Sequence, residues 1–281
     1  MELNVVRVAE DSDFKKLKTL CDENDDWQLV FSKKYSQVWT KTTLDTRFNM
    51  IKAQTQFNDV SAECAYDVLH DPDYRKHWDR FMLECEDIGC LNPNNDVSYY
   101  LLKSPAPFRN RDFVLQRSWL ATPTEFMIFN HSVCHDDYPP RKNVIRALSY
   151  LTGYLVRPLS STSCQVTYIT QSDPKGTLPN WVVNRLTQMV TPKMMKKLHA
   201  VCLRYPEWKA KHRPYFKPWL NAEQLLSSQT RVNIAQCTPR HYEQPEIDES
   251  QIAESHDGSC SALDTDPDCD VDKISNGTAQ H

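Results

Sequence analysis

The longest helical pattern in the chain covers Leu178–Tyr205, and it constrains the fold more than any other segment. Apolar side chains recur there at steps of three and four residues, which places them on one face of a helix. That face carries Val183, Leu186, Val190, Met194, Leu198 and Val201. The opposite face is polar and basic. Such a helix needs an apolar partner surface along its length, so the rest of the chain must supply one.

Two features of this pattern bear on its role. Pro192 lies in the middle, lacks a backbone N–H and crowds the carbonyl of Gln188, which predicts a kink. The apolar side also carries Met189, Met194 and Met195, and methionine suits surfaces that adapt to varied shapes. The segment alone leaves two interpretations open, a core helix with methionine as filler or a lid over a flexible apolar ligand.

The segments before this helix read mainly as strands. A capped amphipathic helix is predicted from residue 11 to about Asn24, and two short helices at 61–69 and 71–79. Strands are predicted at Trp27–Ser32, Ser36–Thr42, Asn49–Phe57, Met82–Leu91, Val97–Lys103, Asp112–Leu120, Glu125–Val133, Val144–Val156 and Cys164–Gln171. This order predicts an α+β fold with a mostly antiparallel sheet. A tunnel remains wherever the long helix and a curved sheet do not meet completely.

Several function classes are disfavoured by composition. The chain has only five glycines, all isolated, so it lacks the clustered glycines of phosphate-binding loops and the G-x-S-x-G nucleophile motif. Histidines and cysteines show no metal-ligand spacing. The charge of the body is modest, which argues against nucleic-acid binding. We therefore expect neither a nucleotide-dependent enzyme nor a metal site.

Charge divides the chain into two parts. From residue 221 onward, twelve acidic residues accompany three basic ones, so the overall net charge of −4 hides a mildly basic body. We predict a short lead at 1–10, a domain at 11–220 and a disordered acidic tail at 221–281. Within that tail, Ser261 and Thr265 each precede an aspartate by three positions, which fits phosphorylation by an acidophilic kinase.

The ten cysteines are scattered singly, with no C-x-x-C pair. The first seven residues are short and mixed, which predicts no signal peptide, and no run of 18 apolar residues predicts a membrane span. These features favour free thiols in a reducing cytosol. We expect a cytoplasmic protein that is a monomer.

Several ordered motifs resemble those of the START domain family, most closely its phosphatidylcholine-transfer subgroup. They are Tyr74–Asp79, Asn110–Asp112, the Leu178-Pro179-x-Trp181 start of the last helix, Pro139–Lys142, Asp173–Gly176 and Tyr205–Lys209. The resemblance spans roughly residues 10–220. It implies a helix-grip fold, in which a curved antiparallel sheet wraps around a long C-terminal helix and encloses a lipid tunnel.

The resemblance implies a headgroup site around Arg75 and Asp79. Their spacing of four puts both on one helix face, and spacing alone predicts a mutual ion pair. The family positions that they match hold a phosphoryl group and an amine. Arginine suits the first role because its planar guanidinium forks onto phosphate oxygens. Asn110–Asp112, by contrast, is predicted to fix a loop.

The family's choline cage aligns with Tyr100, Phe113 and Tyr150, and Thr152 stands where the family has glutamine. Choline lacks N–H donors and favours aromatic faces. The first two cage residues differ from those of the phosphatidylcholine carrier, which weakens the cage. We therefore predict that both phosphatidylcholine and phosphatidylethanolamine bind.

The sequence-based hypothesis is a cytosolic carrier of one phospholipid, with lipid as cargo and no cofactor, gated by the last helix. The basic and aromatic stretch 193–219 either docks transiently on a membrane surface or packs as a clasp on the domain. The alternatives are a lipid sensor or scaffold that regulates partners, and a helix-grip enzyme with Asp79 or a histidine as general base. Because no nucleophile–base arrangement is visible, we expect no enzymatic activity.

Overall fold

The computed structural model describes residues 2–44, 46, 48–179, 181–182, 191–225, 230–240, 242 and 247–253. Within these residues, ten strands form one sheet. The strands are β1 Gln28–Lys33, β2 Ser36–Lys41, β3 Met50–Phe57, β4 Met82–Asn92, β5 Asn95–Leu102, β6 Arg111–Ala121, β7 Phe126–Ser132, β8 Ile145–Arg146, β9 Leu148–Pro158 and β10 Cys164–Asp173. The helices are α1 Asp11–Asp22, α2 Ala62–His70, α3 Pro72–Trp78 and α4 Thr191–Lys211, with short 3-10 turns at Ala222–Gln224 and Ile234–Gln236.

The sheet order is β1-β2-β3-β10-β9-β7-β6-β5-β4, and the pairings along this path are antiparallel. The two-residue β8 pairs in parallel with the start of β6. The predicted antiparallel α+β sheet is therefore confirmed. Its central pairing, β3 with β10, joins segments far apart in sequence and brings the last strand into the middle.

Helix α1 covers one face of the sheet. Its Phe14 and Leu17 pack against Phe129 and Leu155, and the Phe14 and Phe129 rings meet edge to face with centroids 5.1 Å apart. Gly153 of β9 permits this approach, because a Cβ there would lie 2.8 Å from Leu17 Cδ1. The small residue thus lets the helix sit directly on the strand.

Helix α4 packs with α2 on the opposite face. Its Met195, Leu198 and Val201 are buried in a cluster that includes Tyr66 of α2 and Phe57 of β3. The 3.6-residue period predicted this apolar face. A sheet that grips a C-terminal helix is the helix-grip arrangement, which is confirmed. No described helix is both long and apolar enough to cross a bilayer.

The end of α4 differs from the prediction. The predicted pattern ended at Tyr205, yet α4 continues through Pro206 to Lys211. Pro206 has no N–H to donate to the carbonyl of Cys202. The thiol of Cys64 donates to that carbonyl instead, at a Sγ–O distance of 3.3 Å. A side chain of α2 therefore replaces the missing helical bond.

The predicted kink at Pro192 concerns residues 183–190, which lie outside the described residues. Pro192 itself is the second residue of α4 as described. Proline is tolerated there because the first N–H groups of a helix have no intrahelical acceptor.

Residues 230–240 and 247–253 belong to the predicted acidic tail, and both segments make backbone hydrogen bonds to the domain. The backbone of Cys90 exchanges hydrogen bonds with Thr230 and Val232, at 2.9 and 3.0 Å. Thr177 exchanges two more with 247–249, at 2.9 Å each. Backbone pairing of this kind overrides the acidic, polar composition on which the prediction rested. Residues 254–281, which include Ser261 and Thr265, lie outside the described residues.

The C-terminal part of the basic and aromatic stretch 193–219 packs as a clasp. Trp219 is buried, and its indole N–H donates to Asp67 Oδ1 at 2.7 Å. Lys209 is also buried, with its Nζ 2.8 Å from Asp71 Oδ2. These side chains are engaged by the domain and are not available to a membrane. Tyr215, in contrast, is 88% exposed.

Candidate functional site

A cavity of about 340 Å³ lies between α3, the start of α4 and the sheet. Its walls combine apolar, aromatic and polar side chains from seven elements and from the end of α2. They are Leu69, Arg75, Trp78, Tyr100, Leu102, Phe113, Leu115, Arg117, Ile128, Asn130, Ser149, Thr152, Tyr154, Tyr168, Thr170, Ser172 and Met194. The volume falls within the range of small-molecule sites, roughly 300–1,000 Å³.

Helix α3 presents Arg75 to this cavity. Asp71 caps the helix by accepting from the N–H groups of Asp73 and Tyr74, both at 3.1 Å, and Pro72 occupies the first position. The rigid first turn fixes the direction of the next one. Arg75 keeps 35% of its side-chain surface accessible because it faces the cavity.

The predicted Arg75–Asp79 pair is formed. Arg75 Nε donates to Asp79 Oδ2 at 3.0 Å, one helical turn away. The guanidinium carbon also lies 5.6 Å from the centroid of the Tyr100 ring. The ion pair that spacing alone predicted is present, and its arginine lines the cavity.

Among the other predicted headgroup residues, Tyr100, Phe113 and Thr152 line the cavity and Tyr150 does not. A bulge explains the exception. Gln171 pairs with Leu151 and Ser172 with Ser149, so Tyr150 is an extra residue between two paired ones. An extra residue shifts the side chains on either side of it relative to the sheet. The cage position was judged from alignment with the family, and the bulge turns Tyr150 away from the cavity.

The predicted lid residues divide into three groups. Met194 lines the cavity, as predicted for an adaptable wall. Leu198 instead belongs to the core between α4 and α2. Val183, Leu186 and Val190 lie outside the described residues.

Sequence reasoning missed Arg117, a second guanidinium in the wall. Its Nε and Nη2 donate to the two oxygens of Asp96, at 3.2 and 2.5 Å. Burial alone would lower the pKa of Arg117, but Asp96 raises it more, so the group stays charged. A signal was available, because Arg117 lies on the same face of its strand as the apolar Phe113, Leu115 and Trp119. A charged residue at a position where alternation predicts an apolar one marks a functional position.

Arg117 is part of a row of polar residues that crosses five strands. Asp96 of β5 pairs with Arg117 of β6, which pairs with Asn130 of β7. Asn130 pairs with Thr152 of β9, which pairs with Thr170 of β10. We call these five residues the polar belt. Its members other than Asp96 form a hydrophilic band on the wall of a largely apolar and aromatic cavity.

The tyrosines of the cavity are neutral hydrogen-bonding groups. Burial raises the pKa values of Tyr100, Tyr154 and Tyr168 above the ordinary value for a phenol. Their hydroxyls therefore stay protonated at physiological pH. No phenolate base is available among these three, which leaves the wall suited to binding rather than proton abstraction.

A second cavity, of about 600 Å³, lies between the β1–β2 hairpin and α4. Its walls include Lys33, Lys34, Tyr35 and Lys196, and it contains none of the predicted headgroup residues. It is larger but more open to solvent. Most of the predicted headgroup residues and most of the polar belt line the smaller cavity.

Comparison with known proteins agrees with this architecture. The model of the START domain matches residues 7–209. This chain belongs to the START domain family. It is 44% identical over 254 residues to START domain-containing protein 10 of Homo sapiens, covering 90% of this chain and 87% of that protein. It is 25% identical over 184 residues to the phosphatidylcholine transfer protein of Homo sapiens, covering 64% of this chain and 85% of that protein.

Solved START structures share the fold. The crystal structure of human STARD10 superposes with a TM-score of 0.79 at 44% identity, covering 84% of this chain and 96% of that one. Human StAR-related lipid transfer protein 5 gives a TM-score of 0.60 at 19% identity, covering 69% of this chain and 92% of that one. Membership of the START family supports a lipid-transfer role, and two of these relatives are transfer proteins by name.

Proposed function

We propose that this START domain carries one phosphatidylcholine or phosphatidylethanolamine molecule between membranes, with its headgroup in the 340 Å³ cavity. The observation that carries the proposal is Arg75, which lines a largely aromatic and apolar cavity. Its guanidinium matches the phosphate of a zwitterionic headgroup, and Asp79, 3.0 Å from its Nε, holds it in place.

Arg75 is better suited than Arg117 to receive the phosphate. Arg75 donates only its Nε to Asp79, and its two Nη groups make no hydrogen bond to the described residues. Arg117 already donates from Nε and Nη2 to Asp96. A guanidinium with two unused nitrogens can fork onto two phosphate oxygens.

The apolar part of the wall suits the acyl chains. A diacyl lipid carries on the order of thirty methylenes, each worth about 0.8 kcal/mol when removed from water. Leu102, Leu115, Ile128 and Trp78 offer such a surface, and Met194 of α4 can adapt to different chains. Helix α4 therefore acts as the movable wall through which lipid enters.

We also propose a cytoplasmic protein that associates with membranes only transiently. Lys193 and Lys196, at the start of α4, are exposed and carry the charge that attracts an anionic surface. Phosphorylation of Ser261 or Thr265 by an acidophilic kinase would add negative charge to the acidic tail and weaken that attraction.

The first experiment is native mass spectrometry of the full chain purified from cells, with lipid extraction. We expect one phospholipid per chain in the wild type and its loss in Arg75→Ala. Arg213→Ala is the matched control, because Arg213 is 63% exposed in a surface ion pair with Asp73. An empty wild-type protein, or one that holds a sterol, would contradict the proposal. Vesicle exchange of the bound lipid then separates a carrier from a sensor that retains its lipid.

A further inference from the structure

Four hydroxyls form a continuous hydrogen-bonded row on the cavity wall. Ser149 Oγ donates to Asn130 Oδ1 at 3.3 Å and lies 3.1 Å from Thr152 Oγ1. Thr152 Oγ1 lies 2.8 Å from Thr170 Oγ1, which lies 3.3 Å from Ser172 Oγ. We call Ser149, Thr152, Thr170 and Ser172 the hydroxyl row. It extends the polar belt along β9 and β10.

The bulge at Tyr150 builds this row. Residues 149 and 152 would point to opposite faces of a regular strand, because side chains alternate with a period of two. The extra residue restores both to the cavity side, where each contacts a hydroxyl of its neighbours. Bulges commonly re-aim side chains at functional sites.

The protons of the row are all used within it. A hydroxyl has one donor and two acceptor lone pairs. Four contacts join the four hydroxyls to one another and to Asn130 Oδ1, and four protons are needed to make them. If the side-chain amide of Asn130 is rotated by 180°, its Nδ2 donates to Ser149, and each hydroxyl then donates to the next one along the row. The hydroxyl proton of Ser172 is then left without an acceptor in the row. The row therefore presents lone pairs to a ligand and at most one donor.

The donors of the cavity lie elsewhere on the wall. Arg75 and Arg117 carry the positive charge, and Arg117 precedes Asn130 and Thr152 in the polar belt. Neighbouring strands are about 4.8 Å apart, so Thr152 lies about 10 Å from Arg117 along the belt. Donors for an anion and acceptors for an N–H group are thus segregated within one cavity.

We propose that the hydroxyl row makes this domain select phospholipids with a primary ammonium headgroup over those with a quaternary one. This inference rests on the proposed function, since it assigns the headgroup class of the same cavity. A primary ammonium has three N–H donors and no acceptor, which is the complement of the row. Charge-assisted bonds of this kind are the stronger ones.

A trimethylammonium group fits the row poorly. It has no N–H donor, so it would take the lone pairs out of water without replacing their hydrogen bonds, which is unfavourable. A serine headgroup has the ammonium but adds a carboxylate. That carboxylate would face acceptor lone pairs of the hydroxyl row rather than hydrogen-bond donors. The row therefore favours ethanolamine over both choline and serine.

The test uses the full chain and vesicles of dioleoyl lipids that differ only in headgroup methylation. Phosphatidylethanolamine, its N-methyl and N,N-dimethyl derivatives, and phosphatidylcholine offer three, two, one and no N–H donors. We expect capture by the wild type to fall with each methyl group, by about tenfold or more across the series. In the double variant Thr152→Val, Thr170→Val, which preserves side-chain volume, we expect the ratio of phosphatidylethanolamine to phosphatidylcholine capture to fall to about one.

The control is Thr55→Val, which removes a 3.1 Å hydroxyl contact with Ser36 outside this cavity. Its slope is expected to match the wild type. A flat series in the wild type, or an unchanged slope in the double variant, would overturn the selection by the hydroxyl row and leave the carrier function standing. Failure of the wild type to capture any of the four lipids would instead overturn the proposed function itself.

Discussion

Arg111 Nη2 lies 2.6 Å from Glu249 Oε2, and both side chains are buried although 138 residues separate them. Glu249 Oε1 also accepts from the backbone N–H of Arg109 at 2.9 Å, and Arg111 Nε donates to the carbonyl of Pro174 at 3.2 Å. Gly176 permits the approach, because a Cβ there would lie 2.9 Å from the carbonyl oxygen of Ile247. One ion pair thus ties the 247–253 segment to two loops of the domain. Asn110–Asp112 fixes a loop, as predicted.

Glu249→Ala is expected to destabilise the domain by about 3–5 kcal/mol, because it leaves the buried Arg111 guanidinium without its counter-charge. Denaturant unfolding of the full chain measures the effect. Glu207→Ala is the matched control. Glu207 pairs with Lys211 on the surface of α4 and is 81% exposed, so its loss should leave the stability of the domain nearly unchanged. Equal costs for the two variants would contradict a structural role for the 247–253 segment.

A second prediction concerns Asp71, which links α3 to α4. Besides capping α3, its Oδ2 accepts from the Tyr205 hydroxyl at 3.0 Å and from Lys209 Nζ at 2.8 Å. Asp71→Ala should cost about 3–5 kcal/mol, because it removes the cap and leaves the Lys209 ammonium buried and unpaired. Since α3 carries Arg75, lipid capture should fall as well.

Thermal unfolding and native mass spectrometry check this prediction together. Asp73→Ala is the control, because Asp73 lies in the same first turn but is 48% exposed. A variant at Asp71 that unfolds like the Asp73 control would show that the link between the helices is dispensable.

The elements that could be predicted from sequence are those whose evidence is local. Alternation located the long strands, and the 3.6-residue period located the face of α4 that holds Met195 and Val201. The helix end was wrong because the compensating group, Cys64, lies 138 residues from Cys202. Local rules for Pro206 cannot include a donor that arrives through tertiary packing.

The candidate site was predicted in part for the same reason. Arg75 and Asp79 share one helix, so their spacing sufficed to bring them together. The polar belt draws its residues from five strands, and only the register of the sheet aligns Arg117 with Asn130 and Thr152. Register depends on pairings between distant segments and on bulges, neither of which periodicity reports.

A third prediction tests the replacement bond in α4. Cys64→Ala should cost about 1 kcal/mol, because it leaves the Cys202 carbonyl without a donor. In a Pro206→Ala background, the new N–H can bond to that carbonyl, so removing the thiol should cost much less. A double-mutant cycle of unfolding free energies measures the coupling. Additive effects would mean that the thiol contact contributes nothing to the helix.

The last prediction concerns pH and rests on His70, which is buried at the end of α2. Its ring stacks on Trp219 with centroids 5.6 Å apart, and its Nε2 has no hydrogen-bond partner among the described residues. Burial, assisted by the charge of Arg117, lowers the pKa of His70 well below 6.5 in the folded protein. Burial also lowers the pKa of His131, against the opposing effect of the Val5 carbonyl.

Both histidines should therefore make the domain less stable in acid. Below about pH 6.5, these two histidines bind protons in the unfolded chain but stay neutral in the folded protein. The free energy of unfolding therefore falls as pH falls. Each histidine contributes at most about 1.4 kcal/mol per pH unit. Unfolding at pH 7.5 and 5.5 should show this loss, and His70→Phe, which keeps an aromatic ring beside Trp219, should reduce it. An unaltered pH dependence in His70→Phe would mean that His70 accepts a proton in the folded state, despite its aromatic surroundings.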